Sequence, residues 1–221
     1  MVAAKMNPRL APERIEQRGR PVDCGVAAAP IAGEPESGDH YLVKSCAGSV
    51  LIAVADGIGH GVEAARAARV AIATIANAMP REPLDLAVLV QRCHHALRST
   101  RGAVMCLARF DARARTLSWF GVGNITGALL RARSQAPPQP LLVRAGVMGY
   151  RLPAIQPSVL KVNPGDLLVV TTDGIRCEFA QELGGDFFST ARPARIAEWI
   201  LSRHAKGTDD GLALAARYTG P

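Results

Sequence analysis

The sequence predicts an α+β protein in which two packed β-sheets carry helices on their outer faces. Three observations lead there. Strand patterns open the chain, two helical patterns fill its middle, further strands follow and a helix comes late, the order of a layered α+β domain. The strand patterns number about nine, more than one open sheet readily holds. Two of the most apolar strands, Val50–Ala55 and Leu167–Thr172, each run directly into an Asp-Gly pair.

Residues 1–20 are polar and basic, with Pro8 and Pro12, and are expected to form an N-terminal arm ahead of a single domain over 21–221. Val22 and the run Val26–Ile31 suit a first strand, and Ala32–Asp39 (A-G-E-P-E-S-G-D) is loop chemistry. Tyr41–Cys46 and Val50–Ala55, joined by Ala47-Gly48-Ser49, predict an antiparallel hairpin. Such a hairpin places Asp39 near the end that carries Asp56, although the two are seventeen residues apart.

Val62–Met79 is alanine-rich, free of internal glycine and proline, and stopped by Pro80, which predicts a helix. Leu84–Ser99 predicts a second one, with Leu86, Leu89, Val90, Cys93 and Leu97 on one face. Ala103–Phe110 and Arg115–Val122 read as a hairpin, and Ile125–Arg131 as the next strand. Ser134–Pro140 reads as a surface loop, with strand-like chain resuming at Leu141–Arg144 and Ala145–Pro153 as a glycine-punctuated loop. Val159–Val162 leads into the turn Asn163-Pro164-Gly165-Asp166 and the strand at 167. Ile175–Glu182 and Pro193–His204 predict helices, and Leu212–Tyr218 a closing strand.

Composition excludes several classes. No apolar run approaches the roughly 20 residues that cross a bilayer, and the start of the chain, with Lys5, Pro8, Arg9 and Pro12, lacks the apolar stretch of a signal peptide. The expected location is the cytoplasm. Five scattered cysteines without C-x-x-C spacing form neither a disulfide framework nor a zinc site. Cys93-His94-His95 is no zinc motif either, because neighbours on a helix point about 100° apart. A net charge of +7 comes from basic residues spread along the chain, and aromatic residues are only 5%. Nucleic acid is therefore not an expected partner. An Arg-rich soluble surface is the preferred reading of that charge; an acidic or phosphorylated protein partner is the alternative, with electrostatic steering as its physical motive. No G-x-x-x-x-G-K-[ST] loop is present.

The chemistry lies in the aspartates. Ala53–Gly61 (A-V-A-D-G-I-G-H-G) delivers Asp56 to a strand end and into a turn with three glycines. Asp173-Gly174 repeats that design, and further acids stand at Asp39 and at Asp209-Asp210. A carboxylate on such a turn suits a hard cation, with backbone carbonyls beside it as extra oxygen ligands. An all-oxygen set without His or Cys selects Mg²⁺ or Mn²⁺ over zinc. Two such ions about 4 Å apart, bridged by one carboxylate, activate water and clamp a phosphoryl oxygen. One Asp-Gly alone is usually a turn; the whole set points to a metal site, and two such ions would suffice to hydrolyse a phosphate ester.

The stretches S-G-D (37–39), A-D-G-I-G-H-G (55–61), P-G-D-L-L-V-V-T-T-D-G-I (164–175) and D-D-G-L-A-L (209–214) resemble the PPM family of metal-dependent serine/threonine phosphatases, in its bacterial SpoIIE-type branch. The resemblance runs in order over nearly the whole chain. It implies an αββα sandwich of two packed antiparallel sheets and two Mn²⁺ or Mg²⁺ ions. Asp56 would bridge both metals, the Gly57 carbonyl would serve one, and Asp173 and Asp209 the other. Asp39 would hold metal-bound water, Asp210 would neighbour the ligand, and His60 would fix the loop rather than ligate. Two features depart from the pattern. Only a short segment precedes Asp39, so sensing is expected from elsewhere, and Gly211 stands where a threonine usually follows the acid pair.

A minimal catalytic domain of this kind resembles the members of the branch that reset stressosomes. The implied substrates are phosphoserine or phosphothreonine on STAS-domain or partner-switching proteins, and the implied state is a monomer or weak homodimer. A catalytically inactive phosphoprotein-binding module and a small phosphate-ester or nucleotide hydrolase are the competing readings.

Overall fold

The computed structural model describes residues 13–15, 21–34, 36–46, 48–78, 85–132, 134 and 136–220. Strands β1 (Glu13–Ile15), β2 (Val22–Ala29), β3 (Asp39–Cys46) and β4 (Ser49–Gly57) precede helices α1 (Val62–Ala78) and α2 (Leu86–Ala96). Then come β5 (Ala103–Asp111), β6 (Thr116–Val122), β7 (Thr126–Leu130), β8 (Gln139–Pro140), β9 (Val143–Arg144), β10 (Ser158–Lys161) and β11 (Leu167–Thr171). Helices α3 (Phe179–Glu182), α4 (Gly185–Thr190) and α5 (Pro193–His204) lead to β12 (Gly211–Tyr218).

One sheet has the order β1-β2-β12-β11-β7-β8 and the other β10-β6-β5-β4-β3, with β9 added in parallel to β6. All other strand pairs are antiparallel. Successive residues of a strand face opposite sides of its sheet, and here both sides are covered. Val50, Ile52 and Val54 of β4 meet Leu168 and Val170 of β11 and Leu212, Leu214 and Ala216 of β12 in the core between the sheets. The alternate residues Leu51, Ala53 and Ala55 pack under Ala67, Ala68, Ala71 and Ile75 of α1 and Leu89, Val90 and Cys93 of α2. On the outer side of the other sheet, Val169, Ala213 and Ala215 lie against Phe179, Ile196, Ala197 and Ile200. This is the expected αββα sandwich. Burial on two faces explains why β4 and β11 read as continuous apolar runs rather than alternating ones.

Most predicted elements fall within two residues of those observed, and the exceptions have local causes. The helix expected over Ile175–Glu182 shrinks to α3, because Ile175 bridges Ala205 and the Arg176 N–H donates to the His204 carbonyl at 2.9 Å. That pairing holds 175–176 extended. After Gly184 a second short helix, α4, forms where none was expected. Within the predicted loop Ser134–Pro140, Gln139–Pro140 pairs with β7 as an edge strand, a position proline tolerates. Of the basic arm, Glu13–Ile15 pairs with β2 as an edge strand; the rest of 1–20 lies outside the described residues. The second helix begins two residues late, at Leu86, where Asp85 caps it by accepting the Ala87 N–H at 2.7 Å. Among the described residues no helix is long and apolar enough to cross a membrane.

Helix α5 lies directly on the backbone of β2. A Cβ built on Gly25 would lie 2.1 Å from the backbone nitrogen of Ala194. Gly25→Ala should therefore push α5 off the sheet and lower unfolding free energy by about 3 kcal/mol, measured by urea denaturation.

Candidate metal centre

The register of the first hairpin puts Asp39 of β3 directly opposite Asp56 of β4. Both continue the row of side chains that faces the other sheet: Asp56 lies two residues beyond Val54, and Asp39 two before Tyr41. The Gly57 N–H extends the pairing by donating to the Gly38 carbonyl at 3.1 Å. From the opposite sheet, Thr172 and Asp210 arrive on the same inward row, two residues beyond Val170 and two before Leu212. The acids thus stand where the core between the sheets ends.

Asp39 is buried, and its Oδ2 accepts a hydrogen bond from the Thr172 hydroxyl at 2.7 Å. That hydroxyl in turn accepts from the Leu212 N–H at 2.9 Å, so its own proton is directed at Asp39. Among the described residues the buried Asp39 Oδ1 has no hydrogen-bond partner. Asp210 differs: Oδ1 accepts from the Ile31 N–H at 2.8 Å and Oδ2 from the Gly38 N–H at 2.7 Å. Its carboxylate is a clasp that holds the 31–38 loop to the start of β12. Asp209 is half-buried, and its Oδ1 accepts the Asp210 N–H at 2.9 Å. The Asp173 Oδ2 accepts from the Asn124 side-chain amide at 2.6 Å. The exposed His60 ring pairs through Nδ1 with Glu34 Oε1 at 2.6 Å, tying the glycine turn to the 31–38 loop.

The glycines after the two acids are required by space. A Cβ on Gly57 would lie 1.9 Å from the Ala64 carbonyl oxygen, and one on Gly174 1.8 Å from that of Asp210. The first turn of α1 and the start of β12 can then close directly on the strand ends.

Electrostatically the site is a concentration of like charge. Burial pushes the Asp39 carboxyl up to about 8; Thr172 opposes this, and Asp210, Asp173 and Asp209 add to it. Burial, with Asp39, Asp173, Asp209 and Asp210, pushes Asp56 up to about 9. Asp173 is also raised, by burial and Asp209, with Lys206 opposing. Among the described residues, no three His, Cys, Asp or Glu side chains converge as a ready-made metal site. The residues nonetheless fit a hard divalent ion: the donors are all oxygens, their charges repel, and one buried carboxylate oxygen lacks a partner.

The profile described as Stage II sporulation protein E (SpoIIE) matches residues 47–217. The chain belongs to the SpoIIE family. Phosphoserine phosphatase RsbX of Bacillus subtilis (strain 168) is 24% identical over 143 residues, 65% of this SpoIIE-family chain and 69% of RsbX. A chain solved in work on the bacterial stressosome as a modular system adapted to control secondary messenger signaling is 33% identical, with a TM-score of 0.77 over 89% of this chain and 99% of its own. The crystal structure of RsbX in complex with magnesium superposes with a TM-score of 0.80 at 18% identity, over 94% of this chain and all of RsbX. The PPM-type sandwich implied by the motifs is therefore the fold of this SpoIIE-family member.

Sequence reasoning assigned no role to three residues here. Thr172 lies within Thr171-Thr172-Asp173-Gly174, where its signal is the alternation that turns it inward after Val170. Asn124 ends Gly121-Val122-Gly123-Asn124, which reads as a simple turn. Glu34 carries no pattern of its own.

Burial and mutual repulsion fix a linkage. The unfolded acids ionise near about pH 4, whereas folded Asp39 and Asp56 hold their protons up to about 8 and 9. Folding takes up protons across that window, so the metal-free protein should lose stability as pH rises through it. Calorimetry should show Mg²⁺ raising Tm more at pH 8 than at pH 5. Asp56→Asn, which needs no proton to be neutral, should raise the metal-free Tm at pH 7.5 by roughly 2–4 °C per kcal/mol of stability gained while weakening the metal response.

Proposed function

We propose that the acid cluster of this chain holds two Mn²⁺ or Mg²⁺ ions and hydrolyses phosphoserine or phosphothreonine on STAS-domain or stressosome proteins, resetting a stress signal in the cytoplasm. By family and fold the chain is a divalent-metal-dependent serine/threonine phosphatase. The observation that carries the reading is the buried, unpartnered Asp39 Oδ1 beside Asp56, on register-paired strand ends of a PPM-type sandwich.

When bound, the ions supply an activated water and a clamp on the phosphoryl oxygens. The chain's own residues do the positioning. Asp56 and the Gly57 carbonyl present oxygens from one sheet, and Asp173 and Asp209 from the other. Asp209 is the ligand of its pair, because both oxygens of Asp210 are already committed to backbone N–H groups. Thr172 fixes the Asp39 carboxyl through Oδ2 and leaves Oδ1 to take a hydrogen bond from the attacking water. His60 and Glu34 hold the turn that follows Asp56. The protein partner is supported by the likeness to RsbX and to the stressosome-associated chain.

Turnover of p-nitrophenyl phosphate and of a phosphorylated STAS-domain protein, with Mn²⁺ and with EDTA, tests this. Activity should require metal and favour the protein over free nucleotides. Asp56→Asn and Asp209→Asn should each lower kcat about 100–1,000-fold. Asp210→Asn should instead cost about 1–3 kcal/mol of stability by unpairing a buried N–H, with metal affinity largely kept. Equal losses of metal affinity in the Asp209 and Asp210 variants would refute the assignment, and metal-loaded wild type inert on both substrates would favour a binding module.

A further inference from the structure

Next to the acid cluster the surface turns basic. We propose that the segments 97–102 and 147–151 form a docking strip for acidic residues flanking the phosphorylated residue of a protein substrate. This rests on the phosphatase reading above and adds a substrate class to it.

Segment 97–102 is fastened to the turn that follows Asp56, and segment 147–151 to Ala103 at the start of β5. The Ile58 N–H donates to the Gly102 carbonyl at 3.1 Å, and Ala103 and Met148 exchange backbone hydrogen bonds of 3.1 and 2.8 Å. The N–H groups of Tyr150 and Arg151 both return to the Val147 carbonyl, and the Gly149 N–H donates to His94 Nδ1 at 3.1 Å. A Cβ on Gly102 would lie 2.6 Å from the Met148 carbonyl oxygen, and one on Gly149 2.7 Å from that of Leu97, so the segments press backbone to backbone.

The strip carries Arg98, Arg101 and Arg151, all exposed. None of the three makes an ion pair among the described residues. By contrast, Arg66 and Arg69 of α1 are neutralised by Glu63 and Glu36. A guanidinium nitrogen of Arg101 lies 3.1 Å from the point a Cβ on Gly59 would occupy, over the turn leaving Asp56. Tyr150, at the tip of the tight turn, is 90% exposed. Unpaired cations and an aromatic face together suit an acidic peptide. Two strand spacings of about 4.8 Å separate the β4 end from the Met148 segment, which an extended substrate spans with roughly three residues. The acids recognised therefore stand two to four positions from the phosphorylated residue.

Two synthetic phosphoserine peptides of equal length test this, one with Asp and Glu on both sides of the phosphoserine at those positions and one with Asn and Gln. For wild type, KM for the acidic peptide should be about 10-fold lower at low salt, and the advantage should collapse near 0.5 M NaCl. Arg101→Gln should remove most of that advantage, and Tyr150→Ala part of it, with kcat/KM on p-nitrophenyl phosphate within about twofold of wild type. Equal KM for both peptides in wild type would overturn the proposal. So would an Arg101→Gln loss of the same size on all three substrates, which would place the guanidinium on the phosphoryl group. Anisotropy of the fluorescently labelled acidic and neutral peptides gives the same comparison as binding. A docking strip without phosphatase activity is thereby told apart from a phosphatase without a docking strip.

Discussion

The period-two alternation of strands sets where the chemistry stands. Along β4 the residues that face the other sheet are Val50, Ile52 and Val54, and the next in that row is Asp56. Along β3 the row runs back through Val43 and Tyr41 to Asp39. Thr172 and Asp210 extend the corresponding rows of β11 and β12 from the opposite sheet. Four strands thus change from apolar to polar at one level of the sandwich. A slip of one residue in β4 would turn Asp56 toward α1 and Gly57 inward, so the apolar core that fixes the register also fixes the site.

That placement opposes the charges it gathers. Asp39 and Asp56 face each other across adjacent strands, and the charges acting most strongly on them are other aspartates. Several contacts hold the frame against this repulsion. Thr172 links Asp39 to the backbone of β12, the Asp210 clasp joins that strand to the 31–38 loop, and Gly57 and Gly174 let α1 and β12 close on the strand ends. A divalent cation among these acids would relieve that repulsion. Local strain of this kind belongs at a functional site, held by the consistency of everything around it.

The same distinction separates what was legible in the sequence from what was not. The β3–β4 hairpin, α1, α5 and the nearness of Asp39 to Asp56 were legible, because short turns and hydrophobic periodicity are local signals. The insertion of β12 between β2 and β11 was not, since pairing over such separations leaves no mark in either strand. The lost first turn of the helix expected at 175 has the same origin: its competing partner, Ala205, lies thirty residues on. Asn124 reaches Asp173, and Glu34 reaches His60, only once both sheets are built. Two adjacent identical residues carry no local signal that separates them; the motif resemblance favours Asp209 as the ligand, and the N–H donors on both Asp210 oxygens support the same proposal.

An acid cluster that must admit a phosphate ester faces an approach problem as well as a binding one. Before the ester reaches bound cations, the aspartates repel it, and any acidic residue beside it is repelled again. The chain's net charge of +7 eases the long-range part, but diffuse charge falls away within about 8–10 Å at physiological salt. Near the site, unpaired cations are needed where the substrate's neighbouring residues pass. Arg66 and Arg69 do not serve, because each is neutralised by a glutamate. The segments beside the Asp56 turn carry Arg98, Arg101 and Arg151, which make no ion pair among the described residues, on backbones packed closely at Gly102 and Gly149. Cations on a fixed backbone give orientation as well as attraction. A protein substrate would then be selected at its flanks while the aspartates act on the phosphate alone.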